Sequence, residues 1–300
     1  APGKGILAAD ESAPTIKKRF DSIGVESTEE SRRDYRELLF RTKGASDYIS
    51  GVILYDETLR QRAADGTPMV DVLRDQGIIP GIKVDSSTKP LAGAPGELIS
   101  EGLDGLRDRL AEYFQLGARF AKWRAVITIG AGIPSDRCIA ANAHALARYA
   151  ALCQEAGLVP MVEPEVLMDG DHDIARCFGV TEATLLETYA QLAAQRVVLE
   201  GTLLKPNMVL SGKSAANRAS PAEVAESSVT CFMRAVPAAV PGLVFLSGGQ
   251  GDDEAVDNLD AINKYGAKAG APWELSFSYG RGLQAAPLKA WSGEVANGEK

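Results

Sequence analysis

Residues 199–208, LEGTLLKPNM, form a mostly apolar run that ends in a lysine followed at once by proline. Val197, Val198, Leu199, Thr202, Leu203 and Leu204 read as a buried strand with its approach, which makes the charge at its tip, Lys205, the anomaly. Such a lysine reaches solvent, pairs with a carboxylate, or sits in a dry pocket where it loses its proton and becomes a nucleophile. The rest of the chain weighs these readings. Apolar runs of the same kind recur at 5–10, 51–56, 79–85, 119–124, 159–165, 201–207, 243–249 and 274–281, with amphipathic stretches between them. SDRCIAANAHALARYAALCQEAG (135–157) and TEATLLETYAQLAAQ (181–195) are helices by period. Ser27 to Glu30 and Ser220 to Glu223 read as capping boxes, the second with Pro221 at the first helical position. Gly117 and Gly157 fall where helices end on a left-handed glycine. Eight strands with helices in most gaps predict an α/β chain folded as a (β/α)8 TIM barrel in one domain. A doubly wound sheet would carry a G-x-G-x-x-G turn after its first strand, which GILAADES (5–12) lacks.

Composition is ordinary for a soluble globular protein. Hydrophobic residues make up 45% and charged residues 24% of the 300. The net charge of −8 and the absence of a dense basic run argue against a nucleic-acid partner. No apolar stretch is long enough to suggest a membrane span, so the expectation is a cytoplasmic protein. Cys138, Cys153, Cys177 and Cys231 show no C-x-x-C pairing and read as small buried apolar residues. The two histidines offer little to a metal: His144 sits in a helical, alanine-rich pattern, and DGDHD (169–173) lacks the spacing of a calcium loop. No metal and no cofactor are expected.

In a barrel the C-terminal ends of the strands build the active site. Those ends carry Asp10 with Glu11, Asp56, Lys83 with Asp85, Lys122 with Arg124, Glu163 with Glu165, Lys205, Ser247 with Gly248 and Gly249, and Ser278 with Gly280 and Arg281. Three lysines in one mouth repel each other, which favours proton loss from the most buried. Bringing a lysine from about 10.4 to near 7 takes about 4–5 kcal/mol, within reach of burial plus neighbouring cations. Lys205 has the most apolar approach and is the candidate amine nucleophile for a carbonyl substrate. Glu163, Glu165 and Asp10 are then available as acid and base. The turns after the seventh and eighth strands are where barrels often hold phosphate, with Arg281 adding a bidentate cation.

Nine motifs, in order, carry a family resemblance: GKGILAADES, SGVILYDETL, GIKVD, LDGL, FAKWR, VPMVEPE, LEGTLLKPNM, FLSGGQ and FSYGR. The chain resembles class I fructose-1,6-bisphosphate aldolases over nearly its whole length. The resemblance implies a homotetrameric barrel that cleaves a phosphorylated sugar into dihydroxyacetone phosphate and glyceraldehyde 3-phosphate without a metal. It implies Lys205 as the Schiff-base lysine and Glu163, beside Glu165, as the acid that dehydrates the carbinolamine. Lys122 is implied near the iminium, and Asp10 at the C4 hydroxyl. It also implies Ser247, Gly248, Gly280 and Arg281 at one phosphate. Ser12, Thr15 and Lys83 fall at the other, with Lys18, Arg19 and Arg124 adding cationic field. Two alternatives remain: another Schiff-base barrel lyase, of the transaldolase or deoxyribose-phosphate aldolase type, or a non-catalytic scaffold. There are departures. Ala13-Pro14 stands where the family commonly has Thr-Gly, and Pro14 has no N–H to offer a phosphate. Family members usually begin with an extra helix and end in a mobile tail with a C-terminal Tyr, and neither is within these 300 residues.

Overall fold

The computed structural model describes residues 1–297. Eight parallel strands close into a barrel: β1 (Gly5–Ala9), β2 (Ile49–Leu54), β3 (Ile79–Lys83), β4 (Phe120–Ile127), β5 (Val159–Val166), β6 (Leu203–Leu204), β7 (Gly242–Phe245) and β8 (Glu274–Tyr279). Each strand pairs with its sequence neighbours, and β8 returns to β1 through Ile6↔Ser278 and Leu7↔Tyr279. The helices that cover the barrel include α1 (Ala13–Asp21), α2 (Glu29–Phe40), α3 (Asp56–Arg60), α4 (Met69–Arg74), α5 (Leu106–Gln115), α6 (Asp136–Glu155), α7 (Ile174–Ala194), α8 (Pro221–Ala235), α9 (Asp252–Ala269) and α10 (Arg281–Trp291). This is the (β/α)8 barrel expected from the strand periodicity, with every predicted apolar run contributing one strand.

Strand side chains alternate between two packed layers. Ile6, Ala8, Ile53, Phe120, Met161 and Val244 fill the barrel interior at its N-terminal end. The Phe120 ring lies so close to Gly81 that a Cβ there would come within 2.3 Å of it, so β3 needs glycine at this point. Between strands and helices, Trp123 packs on Tyr149 of α6 with ring centroids 5.6 Å apart. The Tyr149 hydroxyl, fully buried, donates toward the carbonyls of Ala121 on β4 and Met161 on β5. With one end of the barrel filled, strand tips at the other end are free to form a cavity.

Three local readings change. The approach to Lys205 is not a strand: Val198 is 59% exposed, and Leu199–Gly201 is a single 3-10 turn. Only Leu203 and Leu204 pair, because Arg196 takes φ 56 and closes α7 before the chain climbs back to the sheet. Lys205 is kept dry from its C-terminal side instead, since residues 204–212 are buried throughout. The capping box of α2 is shifted by one: Thr28 caps and Ser31 reciprocates, each N–H to hydroxyl at 3.0 Å, because a hydroxyl at the third position serves as well as the expected Glu30. The box at Ser220 and Glu223 forms as expected. A hairpin, Thr88–Pro90 with Leu98–Ser100, comes after β3; its arms are three residues each, too short to show as alternation in the sequence.

All four cysteines are buried and lie on helices, with free thiols. His144 is exposed, and Nδ1 lies 3.2 Å from the Gln191 side-chain oxygen on α7. DGDHD ends in a helix cap: Asp173 accepts from the Arg176 N–H at 2.8 Å.

Candidate active site

The strand tips surround a cavity of about 840 Å³. At its centre, Lys205 (4% exposed), Lys122 (4%) and Glu163 (2%) come from β6, β4 and β5. Glu163 lies between the lysines: Oε1 is 3.1 Å from Lys205 Nζ, and Oε2 is 3.2 Å from Lys122 Nζ. Lys122 also meets Asp10 Oδ2 at 2.7 Å. Two lysines and two carboxylates thus alternate through the centre of the cavity.

That alternation decides the protonation states. Burial disfavours charge on Asp10, yet Lys122, Lys205 and, more weakly, Lys83 outweigh it and hold the carboxyl at about 2. Burial likewise opposes charge on Glu163, but Lys122, Lys205 and Arg124 keep it below the ordinary carboxylate range. Lys122 keeps its proton. Burial disfavours its ammonium form, but Asp10, Glu163 and Asp85 hold it well above the usual lysine range. Proton loss is the expectation for Lys205 and not for Lys122, and around Lys122 a carboxylate is interleaved at each contact.

Of the residues singled out from sequence, Asp10, Ser12, Thr15, Arg19, Lys83, Lys122, Arg124, Glu163, Glu165, Lys205, Ser247, Gly248, Ser278 and Gly280 all line this cavity. Two do not. Lys18 is exposed on α1 outside the lining, as its place on the helix surface dictates. Arg281, at the start of α10, is outside the lining and donates to the Gln250 carbonyl at 2.5 Å. Glu165 is buried but faces Arg124, whose Nε donates to it at 2.5 Å, rather than Lys205. Burial opposes charge on Arg124, and Glu165 more than compensates, raising the guanidinium's pKa. Pro14 occupies the first turn of α1, where N–H groups need no helical partner, and Ser12 and Thr15 remain at the cavity with their hydroxyl oxygens 3.2 Å apart.

Two features of the lining carry more than the sequence suggested. Gly248, at φ 57, turns the backbone at the end of β7; a Cβ there would meet Leu246 Cδ1 at 2.7 Å. The Ser278 hydroxyl is 1% exposed and finds no hydrogen-bond partner among the described residues. Sequence reading passed over Ser86, Ser87, Thr88, Arg109 and Tyr113, which also line the cavity. The run of hydroxyls directly after GIKVD was the available signal.

A family model described as fructose-bisphosphate aldolase class-I matches residues 1–300. The chain belongs to the class-I fructose-bisphosphate aldolase family. Among its relatives, a protein of Xanthomonas campestris pv. campestris named "Probable fructose-bisphosphate aldolase class 1" is 63% identical over 98% of this chain and 87% of its own length. "Fructose-bisphosphate aldolase 4, cytosolic" of Arabidopsis thaliana is 56% identical, covering 100% of this chain and 76% of that one. In three dimensions the barrel is similar to fructose-bisphosphate aldolase from Plasmodium falciparum, solved in complex with TRAP and a small-molecule inhibitor. The TM-score is 0.97 at 50% identity, over 100% of this chain and 86% of that one. The aldolase barrel therefore covers all eight strands found here. Among the described residues no helix is long and apolar enough to cross a membrane. Nor do three or more His, Cys, Asp or Glu side chains converge there as metal ligands.

Proposed function

We propose that this aldolase-family chain reversibly cleaves fructose 1,6-bisphosphate into dihydroxyacetone phosphate and glyceraldehyde 3-phosphate through a Schiff base on Lys205. The observation that carries the reading is the buried Lys205 amine, 3.1 Å from Glu163, in a cavity shared with Lys122 and Asp10.

Lys205 Nζ, once it has given a proton to Glu163, attacks the C2 carbonyl and forms a carbinolamine. Glu163 returns that proton to the C2 oxygen, takes a second proton from the carbinolamine nitrogen and passes it to the C2 hydroxyl, which leaves as water as the iminium forms. Asp10 then accepts the proton of the C4 hydroxyl. The C3–C4 bond breaks, its electron pair flows to the iminium nitrogen, and the aldehyde leaves an enamine behind. Protonation at C3 and hydrolysis of the iminium free Lys205. With its pKa at about 2, Asp10 is an open acceptor at neutral pH but a weak base, so the iminium sink supplies the driving force. Lys122 stays cationic beside both carboxylates and stabilises negative charge as it moves. The Ser247–Gly248 turn with Gly280 would hold the phosphate nearer C2. Ser12, Thr15, Lys83, Arg19 and Arg124 would face the distal phosphate.

Borohydride added with dihydroxyacetone phosphate is expected to leave a reduced adduct on Lys205, read by peptide mass spectrometry, and a chelator is expected to leave cleavage unchanged. An unlabelled Lys205, or activity lost to the chelator, sinks this reading. The family resemblance extends the proposal to a cytoplasmic homotetramer with a glycolytic and gluconeogenic role and no nucleic-acid or membrane partner. Light scattering on the purified chain tests the assembly.

A further inference from the structure

Asp85 stands in the same mouth yet takes no step in the reaction above. Its side chain is 4% exposed, two residues beyond Lys83 at the exit of β3. Lys83 Nζ donates to the Asp85 carbonyl oxygen at 2.8 Å and to Oδ1 at 2.7 Å. Oδ1 also accepts the Ser87 N–H at 3.2 Å, and Oδ2 accepts the Arg124 N–H at 3.3 Å. One carboxylate therefore ties the end of β3, the loop after it and the adjacent strand β4. Ser87 takes φ 78, a conformation costly for a residue with a side chain, so the loop is held in shape rather than merely resting there.

An ammonium group has three N–H donors. With two committed to Asp85, the head group cannot spin, and the direction of the third is set. Lys83 lines the cavity, only partly exposed, so that donor is presented in one orientation instead of being sampled from many.

We propose that Asp85 is a positioning residue: by locking two donors of Lys83 it aims the third at the distal phosphate of the substrate. The role rests on bisphosphate cleavage as the function. The same carboxylate also places negative charge near a bound anion, so orientation and repulsion oppose each other, and two variants separate them. Asp85→Ala removes the side-chain acceptor and the charge and leaves only the backbone carbonyl to hold Lys83, whereas Asp85→Asn keeps a side-chain oxygen acceptor and drops the charge.

The test is kcat and KM for fructose 1,6-bisphosphate and fructose 1-phosphate with the full chain. Asp85→Ala is expected to raise KM for the bisphosphate about tenfold, the scale of one charge-assisted hydrogen bond. KM for the monophosphate, and kcat for both, should stay within about twofold. Asp85→Asn should bring the bisphosphate KM back to within about threefold of the parent. Equal changes for both sugars, no change for either, or no recovery with asparagine overturns the role. Should Asp85→Ala not fold, Lys83→Arg probes the same geometry, because a planar guanidinium keeps the charge but cannot repeat that pair of bonds. It should give the same selective rise, and an unchanged bisphosphate KM overturns the role. A parent that cleaves neither sugar overturns the function and this role with it. A parent that cleaves both, with variants outside the pattern, overturns the role alone.

Discussion

Asp10, directly after β1, and Lys122, the third residue of β4, stand three strands apart around the barrel, yet their charged atoms meet at 2.7 Å. The pair spans the mouth and sets the state of both groups. Asp10→Asn removes the C4 acceptor and is expected to lower kcat by about 10²–10⁴. Adduct trapping on Lys205 with borohydride should persist, because Schiff-base formation does not use Asp10. The sign with pH is that of a depressed carboxyl. Its stabilisation is fully present above 3.8 and is lost as pH falls toward about 2. The parent's stability advantage over Asp10→Asn, about 2 kcal/mol from this shift, should therefore shrink between pH 4 and pH 2 and be flat from pH 5 to 8. Denaturant unfolding across that range checks it; a slope at neutral pH would contradict the assignment.

Glu163 is the only carboxylate in ion-pair contact with both Lys122 and Lys205 among the described residues. Glu163→Gln leaves two buried ammonium groups with one carboxylate, Asp10, to balance them. Removing one member of a buried pair costs about 3–5 kcal/mol, so a drop of that order in unfolding free energy at pH 7 is expected. Dehydration of the carbinolamine should slow as well, seen as a delayed rise of trappable adduct in rapid-quench experiments. A variant as stable as its parent would mean that the lysines are balanced from elsewhere.

The barrel is legible in the sequence because its signal is local. Each strand is an apolar run with an ionisable or small residue at its end, and the eight runs alone imply the closure. The cavity lining comes from the same repeat. Pairing across distance stays hidden. Nothing near Arg124 in the sequence says that its guanidinium faces Glu165, 41 residues on, or that Lys122 meets Asp10 rather than repelling Lys205. Nor does the sequence say that Arg281 meets the Gln250 carbonyl, since strand-tip position fixes the backbone but not which way a long side chain turns. β6 is shorter than its composition suggests, because apolar residues at 197–204 do not distinguish a strand from the 3-10 turn that links α7 to the barrel.

Gly248→Ala places a methyl group where the backbone has φ 57 and Leu246 Cδ1 would lie 2.7 Å away. Both the conformation and the contact oppose it, and a loss of about 1–3 kcal/mol in stability is expected. The turn ought to shift rather than break, because the loop is at the cavity edge. KM for dihydroxyacetone phosphate in the condensation direction should then rise more than kcat falls. An unaltered KM would remove this turn from the phosphate site.

The Ser278 hydroxyl is buried at the cavity wall with no protein partner among the described residues, an arrangement that costs stability in the free protein. Two explanations separate cleanly. If the hydroxyl is only a packing group, Ser278→Ala should leave turnover unchanged, with stability equal to the parent or slightly higher. If it waits for a substrate oxygen, the variant should be as stable as the parent or up to about 1 kcal/mol more stable, and yet lose about tenfold in kcat/KM. The second outcome is expected, because Ser278 lines the cavity beside Gly280 and its buried hydroxyl has no partner among the described residues. Thermal unfolding and steady-state cleavage of fructose 1,6-bisphosphate, measured on the same preparation, distinguish the two. A destabilised variant with normal kcat/KM would show instead that the hydroxyl has a protein-bound partner, such as a buried water, and no part in binding.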